Sequence, residues 1–229
     1  MSHEILVIGS EGFIGSNLCQ NRNLDRYDLM RGEDACECIP RGYETVVLLA
    51  CDMRDSQYAY DRNMRMYKRL SELHLTTRII YTSSAAVYGE SDSPRVETHR
   101  REGKGWYAMG KILGEEAVDA YPHAILRLSN VYGPGGHGVI NRFRNGHNQI
   151  YDDGEAIRDY IPVKLVVDCI NAAIKHPEKW SGITNVSSGI ATSVNDLWEL
   201  YGIGEPVYVA GGSGLRYSVL DNRKMLRQL

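Results

Sequence analysis

Short apolar runs of strand length punctuate the chain. Ile5-Leu-Val-Ile8 starts almost at the first residue, and Thr45-Val-Val-Leu-Leu-Ala50, Arg78-Ile-Ile-Tyr-Thr-Ser-Ser84 and Ala124-Ile-Leu-Arg-Leu-Ser129 follow at wide intervals. Between them lie stretches with helical spacing. Arg62 to Leu73 sets Met66, Leu70 and Leu73 on one stripe, and a helix opening at Tyr107 continues through Leu113, Glu115, Ala117 and Val118. Strands alternating with helices predict a doubly wound parallel sheet of the α/β class. A second strand is expected over Tyr27 to Arg31, with residues 32–42 as polar loop.

Past Pro134 the pattern changes. A short helix is expected from Gly138 to Phe143, strand then turn over Ile150 to Gly154, and a further strand over Arg158 to Val163. Val166 to Lys175 reads as an amphipathic helix and Ile183 to Ser187 as a short strand. Ser193 to Tyr201 reads as a helix with Ser193 as N-cap and Asp196 at its third position. A tail from Leu215 to Asp221 and a basic helix end the chain.

Composition narrows the function classes. At 229 residues the chain can bury a core as one large domain or two joined lobes, and a formal charge of −3 gives no sign of a nucleic-acid or anionic-membrane partner. Five cysteines without regular spacing suit a reducing compartment, and Cys36 and Cys38 lack the second pair that a metal site needs. No leader or membrane-spanning stretch is read, so a cytoplasmic location is expected.

Candidate chemistry sits at three places. Gly9-Ser-Glu-Gly12-Phe-Ile-Gly15 joins the first strand to helical residues, the context in which glycines make a dinucleotide site. Gly9 allows the tight turn, Gly12 the approach of a pyrophosphate, and Gly15 close packing of helix on strand. Thr82, Ser83 and Ser84 end a strand at the edge where open sheets bind ligands. Tyr107 and Lys111, four apart on one helical face, can point a phenol and an ammonium into one cleft. At the expected end of the second strand stand Met30 and Arg31, with Asp28 earlier and Glu33 later, so NAD and NADP both remain open.

These motifs, with Arg127-Leu-Ser-Asn-Val-Tyr-Gly-Pro134 and Arg158-Asp-Tyr-Ile-Pro-Val163 in the same order, resemble the extended short-chain dehydrogenase/reductase family, in its nucleotide-sugar epimerase/dehydratase branch. The resemblance implies a Rossmann-like cofactor lobe (1–133 plus 159–189) and a small α/β substrate lobe (134–158 plus 190–229). It implies Tyr107, Lys111 and Ser84 as catalytic residues. Cofactor contacts are implied at Gly9, Gly12, Phe13, Ile14, Gly15, Arg31, Leu49, Ala50 and Lys111, and substrate contacts at Ser84, Asn130, Arg158 and Arg216. The expected activity is an NAD(P)-dependent 4-epimerase passing through a 4-keto sugar. The alternatives are an NADPH-dependent 4-keto-sugar reductase and a non-catalytic NAD(P)-binding sensor. A homodimer is implied by analogy with relatives. Ala85 and Ala86 stand where dehydratases and decarboxylases of this kind carry acids, and the chain is short for the family.

Overall fold

In the computed structural model, which describes residues 4–20, 22–211 and 214–229, the expected buried runs become strands of one sheet. Strand β1 (Ile5–Ile8) leads through the glycine turn into α1 (Phe13–Cys19), then β2 (Asp25–Tyr27) and β3 (Thr45–Leu48). Helix α2 (Gln57–Arg69), β4 (Arg78–Ser84), α3 (Trp106–Val118) and β5 (His123–Leu128) follow. Elements then shorten: β6 (Asn130–Tyr132), α4 (Val139–Arg144), β7 (Gln149–Tyr151), β8 (Ile157–Arg158) and β9 (Tyr160–Pro162). Last come α5 (Val163–Lys175), β10 (Gly182–Val186), β11 (Thr192–Ser193), α6 (Val194–Tyr201), β12 (Val207–Val209), β13 (Tyr217–Ser218) and α7 (Arg223–Gln228).

Six strands pair in parallel in the order β10-β5-β4-β3-β1-β2. The winding reverses between β1 and β3, so the carboxyl ends of those strands open a crevice. Alternate residues face opposite sides. Val7, Val47, Ile80 and Leu126 pack against α1, α5 and Met225 of α7. Leu6, Val46, Ile79 and Tyr81 pack against Met66 and Tyr67 of α2 and Val118 of α3. The fold is a Rossmann-like α/β sheet buried on both faces, as expected.

The second strand differs from the expectation. It ends at Tyr27, and residues 29–31 form a single 3₁₀ turn capped by Asp28, whose carboxylate accepts the Met30 N–H at 2.9 Å. The next segment, read as polar loop, buries Ala35 and Ile39 against the sheet where a crossover helix would otherwise lie. Helix α2 starts before Arg62 because Ser56 caps it, accepting the Ala59 N–H. The strand expected over Arg158 to Val163 is split. Residue 158 pairs with β11 and β13, residues 160–162 pair with β6, and Asp159 between them is fully buried.

A separate small core joins Ile140, Phe143, Ile150, Leu197 and Trp198 over α4, β7 and α6. The capping box of Ser193 and Asp196 forms as read. Leu220 and Met225, assigned by residue number to the second lobe, pack in the cores of the first. Among the described residues no helix is long and apolar enough to cross a membrane, and no cluster of metal-ligating side chains occurs.

Candidate active site

One cleft of about 1420 Å³ runs along the carboxyl ends of the sheet and against α4 and β7. Ligand pockets commonly measure ~300–1,000 Å³, so this one has room for more than one small molecule. Its floor is the glycine turn. Gly9 adopts φ +90°, and a Cβ there would lie 2.6 Å from the backbone nitrogen of Ala50. A Cβ on Gly15 would lie 2.1 Å from the Gly9 carbonyl oxygen. Packing of the chain on itself therefore requires both glycines. Gly12 is different: its φ of −70° suits any residue, and its Cβ would meet only the Gly9 oxygen, at 3.4 Å. The bare backbone at Gly12 opens onto the cleft, beside the first unpaired N–H groups of α1. It fits the close approach of a dinucleotide pyrophosphate.

Phe13 and Ile14 line this floor from α1, and Leu49 and Ala50 from the end of β3. Asp28 follows the last residue of β2 and also lines the cleft, while its Oδ2 accepts the Glu11 N–H of the glycine turn at 3.0 Å. An acid at this strand end is placed for the hydroxyls of an adenosine ribose and against a 2′-phosphate. Arg31, expected to contact the cofactor, does not line the cleft. Its guanidinium lies between Glu33 (3.4 Å) and Glu11 (3.7 Å), half-exposed, because the 3₁₀ turn carries it away from the strand end. Asp28 looks early in the sequence only because the strand is expected to run on to Arg31; it ends at Tyr27.

The opposite wall carries the hydroxyls and the helix. Ser84 ends β4 half-buried and facing the cleft; its oxygen accepts the Ala86 N–H at 3.2 Å, leaving its proton to donate. Ser83 is committed elsewhere, donating at 2.6 Å to Glu115, which is itself held by Arg127 at 2.7 and 2.8 Å. This buried network ties α3 to β4 and β5. Tyr107 and Lys111 both line the cleft. Lys111 is 5% exposed; its Nζ donates to the Thr82 carbonyl at 2.8 Å and lies 6.0 Å from the Tyr107 ring centroid. Burial pulls the Lys111 pKa down, but the Cys51 sulfur and the phenols of Tyr107 and Tyr67 outweigh it. The result lies above the ordinary lysine value, so Lys111 is an ammonium.

Three further predicted residues also line the cleft. Asn130 is anchored by its backbone and side-chain N–H groups to the Asp159 carbonyl, at 3.0 and 3.1 Å. Arg158 is half-buried, and among the described residues no carboxylate comes within ion-pair distance of it. Burial lowers its pKa below the usual arginine value, so an anion in the cleft would relieve an incompletely compensated charge. Arg216 also reaches the cleft, but its guanidinium is engaged by Asp153 at 2.8 and 2.9 Å. Sequence reasoning missed Asp159. Its carboxylate accepts from Ser129, Ser188 and Gly189, fixing the junction from which Asn130 and Arg158 project.

Residues 21–187 match the model of the NAD dependent epimerase/dehydratase family. An ADP-L-glycero-D-manno-heptose-6-epimerase from Cupriavidus pinatubonensis is 30% identical over 84% of this chain and 75% of its own. A putative UDP-glucose 4-epimerase from Methanocaldococcus jannaschii is 29% identical over 86% and 80%. The first alignment spans 258 positions, more than the whole chain, so that relative carries segments absent here. Among solved structures, the NAD-dependent NDP-hexosamine 5,6-dehydratase TunA superposes with a TM-score of 0.86 at 23% identity, over 99% of this chain and 91% of that one.

Proposed function

The chain belongs to the NAD dependent epimerase/dehydratase family, and from that premise we propose that it is an NAD-dependent epimerase of nucleotide sugars acting through a transient 4-keto sugar. The observation that carries the reading is the gathering of Ser84, Tyr107 and Lys111 in the cleft floored by the glycine turn. The Gly9–Gly15 turn, Leu49, Ala50 and Asp28 would hold NAD, which when bound would supply the acceptor and later the donor of a hydride. Tyr107 as phenolate takes the proton from the C4 hydroxyl as hydride leaves C4; once the 4-keto sugar has turned over, hydride returns to its other face and the Tyr107 phenol gives its proton back to the oxygen. Lys111, kept cationic, would offer its remaining N–H groups to the nicotinamide ribose. Ser84 donates to the same sugar oxygen and steadies it as a carbonyl develops. Arg158 and Asn130 bind the diphosphate.

Two features set this reading above its neighbours. Elimination requires a further acid/base pair at the reacting carbons, and Ala85 and Ala86 supply only methyl groups there. The NADPH-reductase alternative leans on Arg31 and on the lack of a clear strand-end acid, but the Arg31 guanidinium is engaged by Glu11 and Glu33, and Asp28 stands directly after the strand. The heptose relative favours a second position of attack, C6 of an ADP-heptose, which the same three residues could serve.

The test is incubation of the purified protein and NAD with UDP-glucose, UDP-N-acetylglucosamine and ADP-D-glycero-D-manno-heptose, with products resolved by NMR. Inversion at C4 without net cofactor consumption is the expected result, and inversion at C6 selects the heptose reading. Stoichiometric consumption of reduced cofactor would replace the proposal with a reductase. Tyr107→Phe should lower turnover by about a hundredfold or more while NAD remains bound. Near-full activity in that variant would remove the mechanism.

A further inference from the structure

We propose that Asp55, in the loop between β3 and α2, is a positioning residue that sets the start of the Tyr107 helix. The proposal rests on the reading of Tyr107 as the proton-exchanging group. Helix α3 begins behind Gly105, which has φ +86° and no side chain, so its own N-cap offers no acceptor to the first turn. The acceptor comes from another element. The Oδ1 of Asp55, 52 positions earlier, receives the backbone N–H of Tyr107 itself at 2.9 Å. A Cβ at position 105 would lie 3.0 Å from both carboxylate oxygens, so the glycine also clears the approach. A carboxylate at this end further complements the positive pole of the helix.

The same loop is fastened at its beginning. Buried Asn63 of α2 accepts the Asp52 N–H and donates to the Asp52 carbonyl, both at 2.9 Å. That loop continues directly from Leu49 and Ala50, which wall the cofactor side of the cleft. Asp55 thus references the backbone of Tyr107 to the strand end that borders the cofactor. The Tyr107 side chain leaves the helix one residue into its first turn, where fraying would displace it most.

Two variants separate the hydrogen bond from the charge. Asp55→Asn keeps an oxygen acceptor and removes the charge; Asp55→Ala removes both. Asp55 is exposed, so both variants are expected to fold, as judged by circular dichroism and melting temperature. Hydrogen exchange at the Tyr107 amide, followed by NMR well below melting, should quicken in Asp55→Ala and stay near wild type in Asp55→Asn. With the nucleotide sugar identified by the screen above, Asp55→Ala should lose about tenfold in kcat with KM almost unchanged, and Asp55→Asn should recover most of it. Unchanged exchange in Asp55→Ala overturns the proposal. So does full turnover in Asp55→Ala when Tyr107→Phe is inactive, or equal loss in the two Asp55 variants. An active Tyr107→Phe protein sinks the underlying reading instead. It is told apart because the exchange measurement on Asp55→Ala reports the bond without reference to catalysis.

Discussion

Asp28 and Arg31 lie three residues apart and have opposite fates. Asp28 follows β2, pins the glycine turn through the Glu11 N–H and still faces the cleft; Arg31 is drawn off by two glutamates. On the proposed reading, selection between NAD and NADP would fall to Asp28. Asp28→Asn keeps an acceptor for the turn but removes the charge. It should weaken NAD about ten- to a hundredfold, from the loss of charge-assisted hydrogen bonds worth ~1.5–3 kcal/mol, and narrow the preference over NADP. Isothermal titration with both nucleotides measures this. An unchanged NAD/NADP ratio would return discrimination to other residues.

The glycine turn makes a comparable contrast among its own members. Gly15→Ala would drive a methyl into the Gly9 carbonyl and push α1 off β1, costing ~1–3 kcal/mol or more, whereas Gly12→Ala meets no such obstacle. Gly15→Ala should lower the melting temperature without ligand. Gly12→Ala should melt like wild type alone but gain less stability from added NAD, which scanning fluorimetry with and without NAD would show. Such elements were largely readable in the sequence. Buried strands such as Val46-Val47-Leu48 announce themselves by unbroken apolar residues, and α6 by Ser193 and Asp196. What stayed hidden depends on contacts distant along the chain. Strand β2 is a three-residue piece, Asp-Arg-Tyr, recognisable only by its register with Leu6, Val7 and Ile8. The split at Asp159 depends on donors from Ser129, Ser188 and Gly189, which no local pattern brings together. For the cleft, the four-residue spacing that brings Tyr107 and Lys111 to one wall was visible in the sequence. The commitment of Arg216 to Asp153 was not, because it spans 63 positions.

Across the molecule, Glu90 ties the chain after β4 to the start of β13. It follows the segment after Ser84 and accepts the backbone N–H groups of Arg216 and Tyr217, each at 2.9 Å. Burial raises its pKa, but the N–H groups of Tyr217, Arg216 and Ser91 outweigh that and bring it below the ordinary 4.5. The folded-state value is lower than the unfolded one. The ionised carboxylate therefore contributes stability above the unfolded value, and that contribution is lost as pH falls through the folded value. Glu90→Gln should melt earlier than wild type at neutral pH and lose less on acidification below about pH 4.5. Parallel melting curves across pH 3–7 would show a fixed gap instead if Glu90 carried no such linkage.

Among the described residues the sheet ends at β2, which is hydrogen-bonded to β1 on one side only. A long apolar border strand would invite another chain to add to it, but this one is three residues long and two of them, Asp25 and Arg26, are charged. Trimming the second crossover to an irregular segment thus leaves a margin too short and too polar to template association. The protein can dispense with a covering helix there without exposing a sticky rim.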